Sequence, residues 1–586
     1  MSNKHAVIIN LLAAAALAVA GCGTKKSPND SIAGPEASGR GSETTGSEPS
    51  PDLMPEPAST ELTTKTTDTG GSADDLAPPP IVADAERKDR SSRTRAAGLG
   101  KAPAAPRGIR PSPYKRRDKP RERPRDPGVS MPNSEVYEDY GKNPFIDTDK
   151  DNLSTFAVDV DTASYAIARR KIVEGSLPPA SAVRVEEFVN YFKYDYDGPT
   201  DGAPFAVHMD AAPSPFSSGK HILRVGVQAK KLSIVERKKA NLVFLVDVSG
   251  SMSSPDKLPL AKRSLRLLVS NLKDGDTVSL VTYAGSTRVV LKPTDVAERA
   301  AIVSAIEDLT SGGGTAMGSG IDLAYDLAAE NLSPDTVSRV IVLSDGDANI
   351  GRTGHREILA QIKGKVKEGV TLSTIGLGMG NYKDTMMEQL ANKGNGNYYY
   401  IDTFSQAKRV FQEQLGGTLE VVAKDVKIQV DFDTKAVKRY RLVGYENRDI
   451  ADHDFRNDKV DAGEIGAGHT VTAIYEVELG DISRTLATVR VRNKKPRGTK
   501  ASERAFEFNR DKLYGSFDSA PADFRFATAV MATAELLRRS EHAKEWSIDR
   551  IIKIAKNASA ADDSERQELI SLVEKIRPMR NQLARR

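Results

Sequence analysis

Residues 241–255 read NLVFLVDVSGSMSSP. Leu242 to Val246 form an unbroken apolar run that stops at Asp247, and Ser249 and Ser251 follow at alternate positions. A run without alternation suits a strand buried on both faces, as in a parallel sheet covered by helices. Such sheets bind ligands beyond the carboxyl ends of their strands, in the crevice where the strand order reverses. One carboxylate and two hydroxyls bunched at that tip therefore mark a candidate polar site.

Working outward, TVSLVTYAG, RVIVLSDGD, VTLSTIGLGM and GNYYYID read as further strands, and TRVVLKP as a short edge strand. Between them LPLAKRSLRLLVSNL, DVAERAAIVSAIEDL, GSGIDLAYDLAAENL, HREILAQIKGKVKEG, DTMMEQLANKG and TFSQAKRVFQEQL read as amphipathic helices. Strands alternating with helices predict βαβ units and a doubly wound, mainly parallel sheet. Before it, STFAVDVD and HILRVGVQAK read as strands and AVRVEEFVNYF as a helix; after it, KDVKIQVDFD, HTVTAIYEVEL and LATVRVRNKK alternate as antiparallel strands do. The fold class expected is an α/β doubly wound sheet inserted between β-rich flanking segments, with a helical C-terminal region.

The chain has 586 residues, a net charge of +4 and one cysteine, Cys22. That charge is too mild for a nucleic-acid binder, and a single cysteine excludes both an intramolecular disulfide and a multi-cysteine zinc site. Residues 1–21 have the layout of a secretory signal, with Lys4 before an apolar run that ends in small residues. Residues 22–130 are rich in Pro, Ser and charge and almost free of large apolar side chains, so they cannot bury enough surface to offset chain entropy. A disordered tether is expected there; its stretch from Arg87 to Arg125 holds 15 Lys/Arg against 3 Asp/Glu and reads as a solvated spacer, with contact to anionic lipid head groups or another polyanion as the alternative. Further boundaries expected are a flanking α+β domain over 131–235, the α/β domain over 236–418, a β-rich domain over 419–515 and a helical region over 516–586. The strands LRVGVQAK and KDVKIQVDFD, entering and leaving the α/β domain, are expected in one β-sandwich.

The tetrapeptide VAGC, ending at Cys22, resembles a bacterial lipobox. That resemblance implies a lipidated, palmitate-bearing cysteine and an envelope localisation, with Gly23 leaning toward the outer membrane of a Gram-negative cell, facing the periplasm or the surface. Two further loops extend the resemblances. TSGGGTAMGSG places Thr315 after three glycines, and VIVLSDGD places Asp345 at the end of a buried run. With DVSGSM they resemble, in order, the three loops of the metal-ion-dependent adhesion site (MIDAS) of von Willebrand factor type A domains. The resemblance implies Ser249, Ser251 and Thr315 as direct ligands, Asp247 and Asp345 as direct or water-mediated ones, and Mg²⁺ as the ion, with Mn²⁺ or Ca²⁺ as substitutes. Three hydroxyls and two carboxylates suit a hard octahedral cation, and so few anions leave it electrophilic toward a carboxylate brought by a protein partner. The flanks, STFAVDVDTASYAIARR and YRLVGYENRDIADHDF among them, are similar to those of a group of bacterial lipoproteins carrying this domain.

Three rival constellations remain. Asp159, Asp161 and Thr162 resemble the nucleophile motif of haloacid-dehalogenase phosphatases, although fewer than 80 residues separate them from the next domain, too few for that family's sheet. Asp147, Asp149 and Asp151 stand at EF-hand spacing, but Asn152 replaces the usual glycine and Val158 the bidentate glutamate. His355 reads as a helix-start residue. No serine elbow, paired zinc histidines or phosphate loop is present. The expectation is a lipid-anchored, non-enzymatic protein that binds a partner through the metal, with an architectural scaffold or a metal-dependent hydrolase as alternatives.

Overall fold

The computed structural model describes residues 135–586 except 159, 201, 234–235, 315, 347–354, 380–381, 414–418, 482, 580–582 and 584–586. Cys22, the signal segment and the tether lie outside the described residues, as do Asp159 and Thr315.

The described part begins with two short strands, β1 (Ile146–Asp147) and β2 (Leu153–Ala157), and two helices, α1 (Ala163–Val173) and α2 (Val185–Tyr191). A hairpin follows, β3 (Phe205–Pro213) and β4 (Lys220–Ala229). The α/β layer then runs β5 (Lys239–Asp247), α3 (Leu258–Ser270), β6 (Thr277–Tyr283), β7 (Thr287–Asp295), α4 (Arg299–Glu307), α5 (Met317–Glu330), β8 (Thr336–Ser344), α6 (His355–Glu368), β9 (Val370–Leu377), α7 (Asp384–Lys393), β10 (Tyr398–Ile401) and α8 (Phe404–Lys408). Six strands follow or close the flank: β11 (Val421–Phe432), β12 (Val437–Val443), β13 (Gly463–Gly466), β14 (Thr470–Leu479), β15 (Thr485–Lys494) and β16 (Ala501–Asn509). Helices Ala522–Leu537, Ile548–Asn557 and Ser564–Ile576 end the chain.

The central sheet has the order β10-β9-β8-β5-β6-β7, parallel except for the edge strand β7. Every residue of β5 after Lys239 is buried, which the unbroken apolar run required. Leu242, Phe244 and Val246 face a core shared with α3 and α4, while Val243 and Leu245 face one shared with α5, α6 and α7. Succession runs outward from β5 through β6 and β7, then restarts on its other side at β8, so the order reverses between β5 and β8. The helix expected over TFSQAKRVFQEQL gives α8 and then a π-turn, Arg409–Glu413. A widened turn of this kind re-aims a side chain, and here Arg409 reaches Glu565 and the Tyr191 carbonyl.

The strand entering this layer, β4, and the strand leaving it, β11, lie in different sheets, β1-β12-β14-β4-β3 and β13-β11-β15-β16 with β2 beside β11. Leu223, Val225 and Val227 of the first meet Val426, Ile428 and Val430 of the second in one apolar core, so the two sheets form a sandwich. On the outer face of the first sheet α1, α2 and the C-terminal helices build a separate core around Tyr165, Phe188, Phe192, Phe526 and Ile551.

Arg441 of β12 is fully buried under these helices between Glu476, 2.6 Å away, and Glu535, 3.0 Å away. Burial alone would raise the Glu535 carboxyl, but Arg538 and Arg441 outweigh it and hold the group below its ordinary value of 4.5. A depressed carboxyl contributes stability that is complete above its unfolded value and fades as pH falls through the folded one. Arg441→Leu should therefore cost about 3–5 kcal/mol in urea unfolding at pH 7, because it leaves the buried Glu476 without a cation and Glu535 with Arg538 alone. The deficit should shrink below about pH 4.5, where Glu535 protonates in the unfolded chain.

Candidate metal centre at the tips of β5 and β8

Asp247 ends β5, and Asp345 follows the last residue of the adjacent parallel strand β8. Both are fully buried. Asp247 accepts a hydrogen bond from the Ser249 N–H at 2.9 Å through Oδ1 and one from the Ser344 hydroxyl at 3.0 Å through Oδ2. Ser249 and Ser251 hold their hydroxyls 3.0 Å apart, the first buried and the second half-buried at the mouth. Backbone bonds fasten this loop to the glycine-rich one: Gly312 N–H donates to the Val248 carbonyl at 2.7 Å and Gly250 N–H to that of Gly313 at 3.1 Å. The chain beside Asp345 turns at Gly346, with φ +76°, where a Cβ would lie 2.7 Å from the Lys383 nitrogen. Only glycine lets the strand end and the following loop pass so closely.

Four of the five expected ligand residues, Asp247, Ser249, Ser251 and Asp345, are thus brought to one crevice at the reversal of strand order; Thr315, the fifth, is outside the described residues. The electrostatics call for a cation. Burial pushes the Asp247 carboxyl up, the bonds from Ser249 and Ser344 pull it down, and Asp345 nearby pushes it up again. Asp247 makes no ion pair among the described residues, and the Tyr283 hydroxyl is sealed in beside it and Ser344. Two buried carboxylates and paired hydroxyls fit a hard divalent ion, for which the hydroxyls would be neutral ligands and the aspartates the charge balance. Among the described residues no three His, Cys, Asp or Glu side chains converge, so no site of softer ligands competes.

One member escapes a reading of the sequence. Lys257, buried at the start of α3, places Nζ 3.0 Å from Asp345 Oδ2. Its stem lies where a Cβ on Gly378, at φ +69°, would stand 2.3 Å from Lys257 Cε. No spacing rule announces a long side chain laid across a distant glycine. The loop before it is tied to the N-terminal flank, since Arg170 of α1 pairs with Asp256 at 2.7 Å.

The rivals resolve into structural roles. Asp161 accepts the Tyr398 N–H at 2.8 Å and pairs with Arg448 at 3.1 Å, joining β10 to the sandwich. Asp147 pairs with Lys150, Asp151 accepts the Leu153 N–H at 3.2 Å, and Asp149 is exposed, so no carboxylate cage forms. His355 is the first residue of α6.

A doubly wound sheet carrying this oxygen cluster at its reversal point defines a von Willebrand factor type A domain, and the family model of that description matches residues 241–413. A model described as von Willebrand factor matches residues 131–224, and one described as the C-terminal part of uncharacterized protein YfbK matches residues 417–579. The chain belongs to the family of the uncharacterized protein YfbK of Escherichia coli K12, to which it is 38% identical over 475 residues, 76% of this chain and 82% of that one. Mouse inter-alpha-trypsin inhibitor heavy chain H2 is 27% identical over 185 residues, 30% of this chain and 19% of its own length. Among solved structures, the von Willebrand factor type A protein of Catenulispora acidiphila is 18% identical and covers 66% of this chain and 91% of its own, with a TM-score of 0.41. The mussel-byssus proximal thread matrix protein 1, solved with a zinc-occupied MIDAS motif, is 23% identical over 30% of this chain and 45% of its own, with a TM-score of 0.25.

Lys257→Met should lower the melting temperature in EDTA, because Asp345 loses its ammonium, and Mg²⁺ should restore it. Magnesium affinity by calorimetry should rise by about tenfold, one competing charge being worth about 1.4 kcal/mol. Affinity equal to that of the parent would show that the ammonium does not compete.

Proposed function

We propose that this chain is a cell-envelope protein, anchored through a lipidated Cys22, that captures a protein partner by presenting Mg²⁺ at Asp247, Ser249, Ser251, Thr315 and Asp345. The observation that carries this reading is the buried Asp247 carboxylate, without a cationic partner among the described residues, standing beside the paired hydroxyls of Ser249 and Ser251. A carboxylate buried without a cation costs several kcal/mol, and a divalent ion bound at the crevice would remove that cost. Ser251 is half-exposed, so the mouth is open to a ligand. The aspartates at most neutralise the ion, which leaves it able to accept a carboxylate from the partner. The tether expected between Cys22 and the folded part would let the site reach beyond the membrane surface.

The test is a pull-down from envelope extract with the full chain, in Mg²⁺ and in EDTA, beside Asp247→Ala whose folding is checked by circular dichroism. A partner retained only by the unaltered chain in Mg²⁺ is the expected result. A partner retained in all three samples would move recognition to the flanks. Chelation that lowers only the melting temperature would make the metal architectural, and metal-dependent turnover of model esters would make the protein a hydrolase. Cys22→Ser should shift the chain from the membrane pellet to the soluble fraction; continued pelleting of the variant would refute the anchor.

A further inference from the structure

The opposite end of the central sheet holds a second polar site. Arg339 lies on β8 six residues before Asp345, about 20 Å away along the strand. Its side chain is 1% exposed. Nε donates to Thr371 Oγ1 at 3.1 Å and Nη1 to Ser373 Oγ at 3.2 Å, both hydroxyls of β9, and the guanidinium meets no carboxylate among the described residues. Arginine at a dry position is ordinarily paired, because an isolated buried cation is expensive. Burial pulls this one down to about 10, which still leaves it charged at neutral pH.

Arg339 lines a cavity of about 460 Å³ between the amino ends of β8 and β9 and the strands β11 and β13 of the sandwich, a volume that suits a small molecule. Lys363, Lys367, Lys393, Lys424 and Lys459 also line it, and none of the five forms an ion pair among the described residues. Three of the five acids on the same wall are engaged elsewhere. Asp425 pairs with Lys494 at 2.6 Å and Asp458 with Arg492 at 2.8 Å, and Glu420 accepts the Lys238 N–H at 2.9 Å. Burial and hydrogen bonding to Asp425 push the Asp461 carboxyl up. Glu464, the acid whose charge would act on Arg339, is pushed well up by burial and has one oxygen without a partner. The lysines thus make no close ion pair with these acids among the described residues, although Lys393 and Lys363 draw Asp461 down and Arg339 and Lys424 draw Glu464 down.

We infer that this cavity binds a small polyanion, with a phosphate or carboxylate group seated on Arg339 and its remaining charge met by the lysines of the rim. A planar guanidinium matches either oxyanion, and ammonium groups in no close ion pair add attraction without requiring a fixed geometry. The site is independent of the metal centre.

The test titrates the full chain with pyrophosphate, orthophosphate and citrate by calorimetry and thermal shift, with sodium chloride at matched ionic strength as control. Saturable binding of a phosphate or of citrate, absent with chloride, is expected, and the tighter class names the head group. Arg339→Met should weaken that binding by about 10–100-fold, the worth of hydrogen bonds to a charged group, and should raise the melting temperature of the free protein. Lys363→Ala/Lys393→Ala, which alters only exposed side chains, should keep the parent melting temperature and weaken binding by about tenfold. No saturable binding of any probe overturns the inference, as does parent-like affinity in Arg339→Met. Should Arg339→Met fail to fold, parent-like affinity in the lysine variant overturns it by itself.

Discussion

β5 is covered on both faces, so its polar groups can stand only at its two ends. At the carboxyl end this gives Asp247 and the serines after it. Near the amino end Asn241 donates to the Ala328 carbonyl at 3.0 Å, and the buried Asp276 accepts the Ala240 N–H at 2.8 Å while pairing with Arg237. Hydrophobic closure of the faces thus sorts polarity along the strand axis. The reversal of strand order beside β5 then brings the tip of β8, with Asp345, against that of Asp247. Neither aspartate could be buried so completely if the strands ended in solvent.

Helix α1 connects that layer to the rest of the chain. It is buried almost all round from Ala163 to Arg169: Tyr165 enters the core of the C-terminal helices, and Ala163, Ala166 and Ile167 enter that of the central sheet. Its arginines extend the connection, Arg169 to Asp402 beyond β10 and Arg170 to Asp256 in the loop that leads to Lys257. Arg184, before α2, is buried against Asp384 at the start of α7, 2.7 Å away. The central layer is thereby held through charged pairs, of which Arg169–Asp402 and Arg184–Asp384 are dry, so that removing one partner is costly.

Much of this was legible in the sequence because it rests on period. The apolar runs ending in Asp247 and Asp345 sit on strands, and the helices between them cover the sheet as alternation requires. Charged residues on the flanking strands were harder to read. In RYRLV and AIYEVEL, Arg441 and Glu476 alternate with apolar neighbours and look solvent-facing, yet Glu535 and Arg538 of the C-terminal helix close over them. Alternation tells which residues share a face; a second layer decides whether that face meets water. Arg339 was hidden in the same way within RVIVLS, and Lys257 because its position depends on a side chain lying over Gly378. Conversely Asp161, conspicuous as a chemical motif, serves as a clamp, since carboxylates at strand ends suit backbone N–H groups as well as they suit catalysis.

The bond from Arg170 to Asp256 bears on modularity. Domains of this architecture are often thought of as portable units that can be excised and moved between proteins. In this chain the loop at the rim of the crevice is suspended from a helix that precedes the α/β layer by more than sixty residues, and the apolar surface that receives α1 would be laid bare by a cut between them. The crevice is therefore a property of the whole folded chain, and sequence changes in α1 and in the loop around Asp256 should be inherited together.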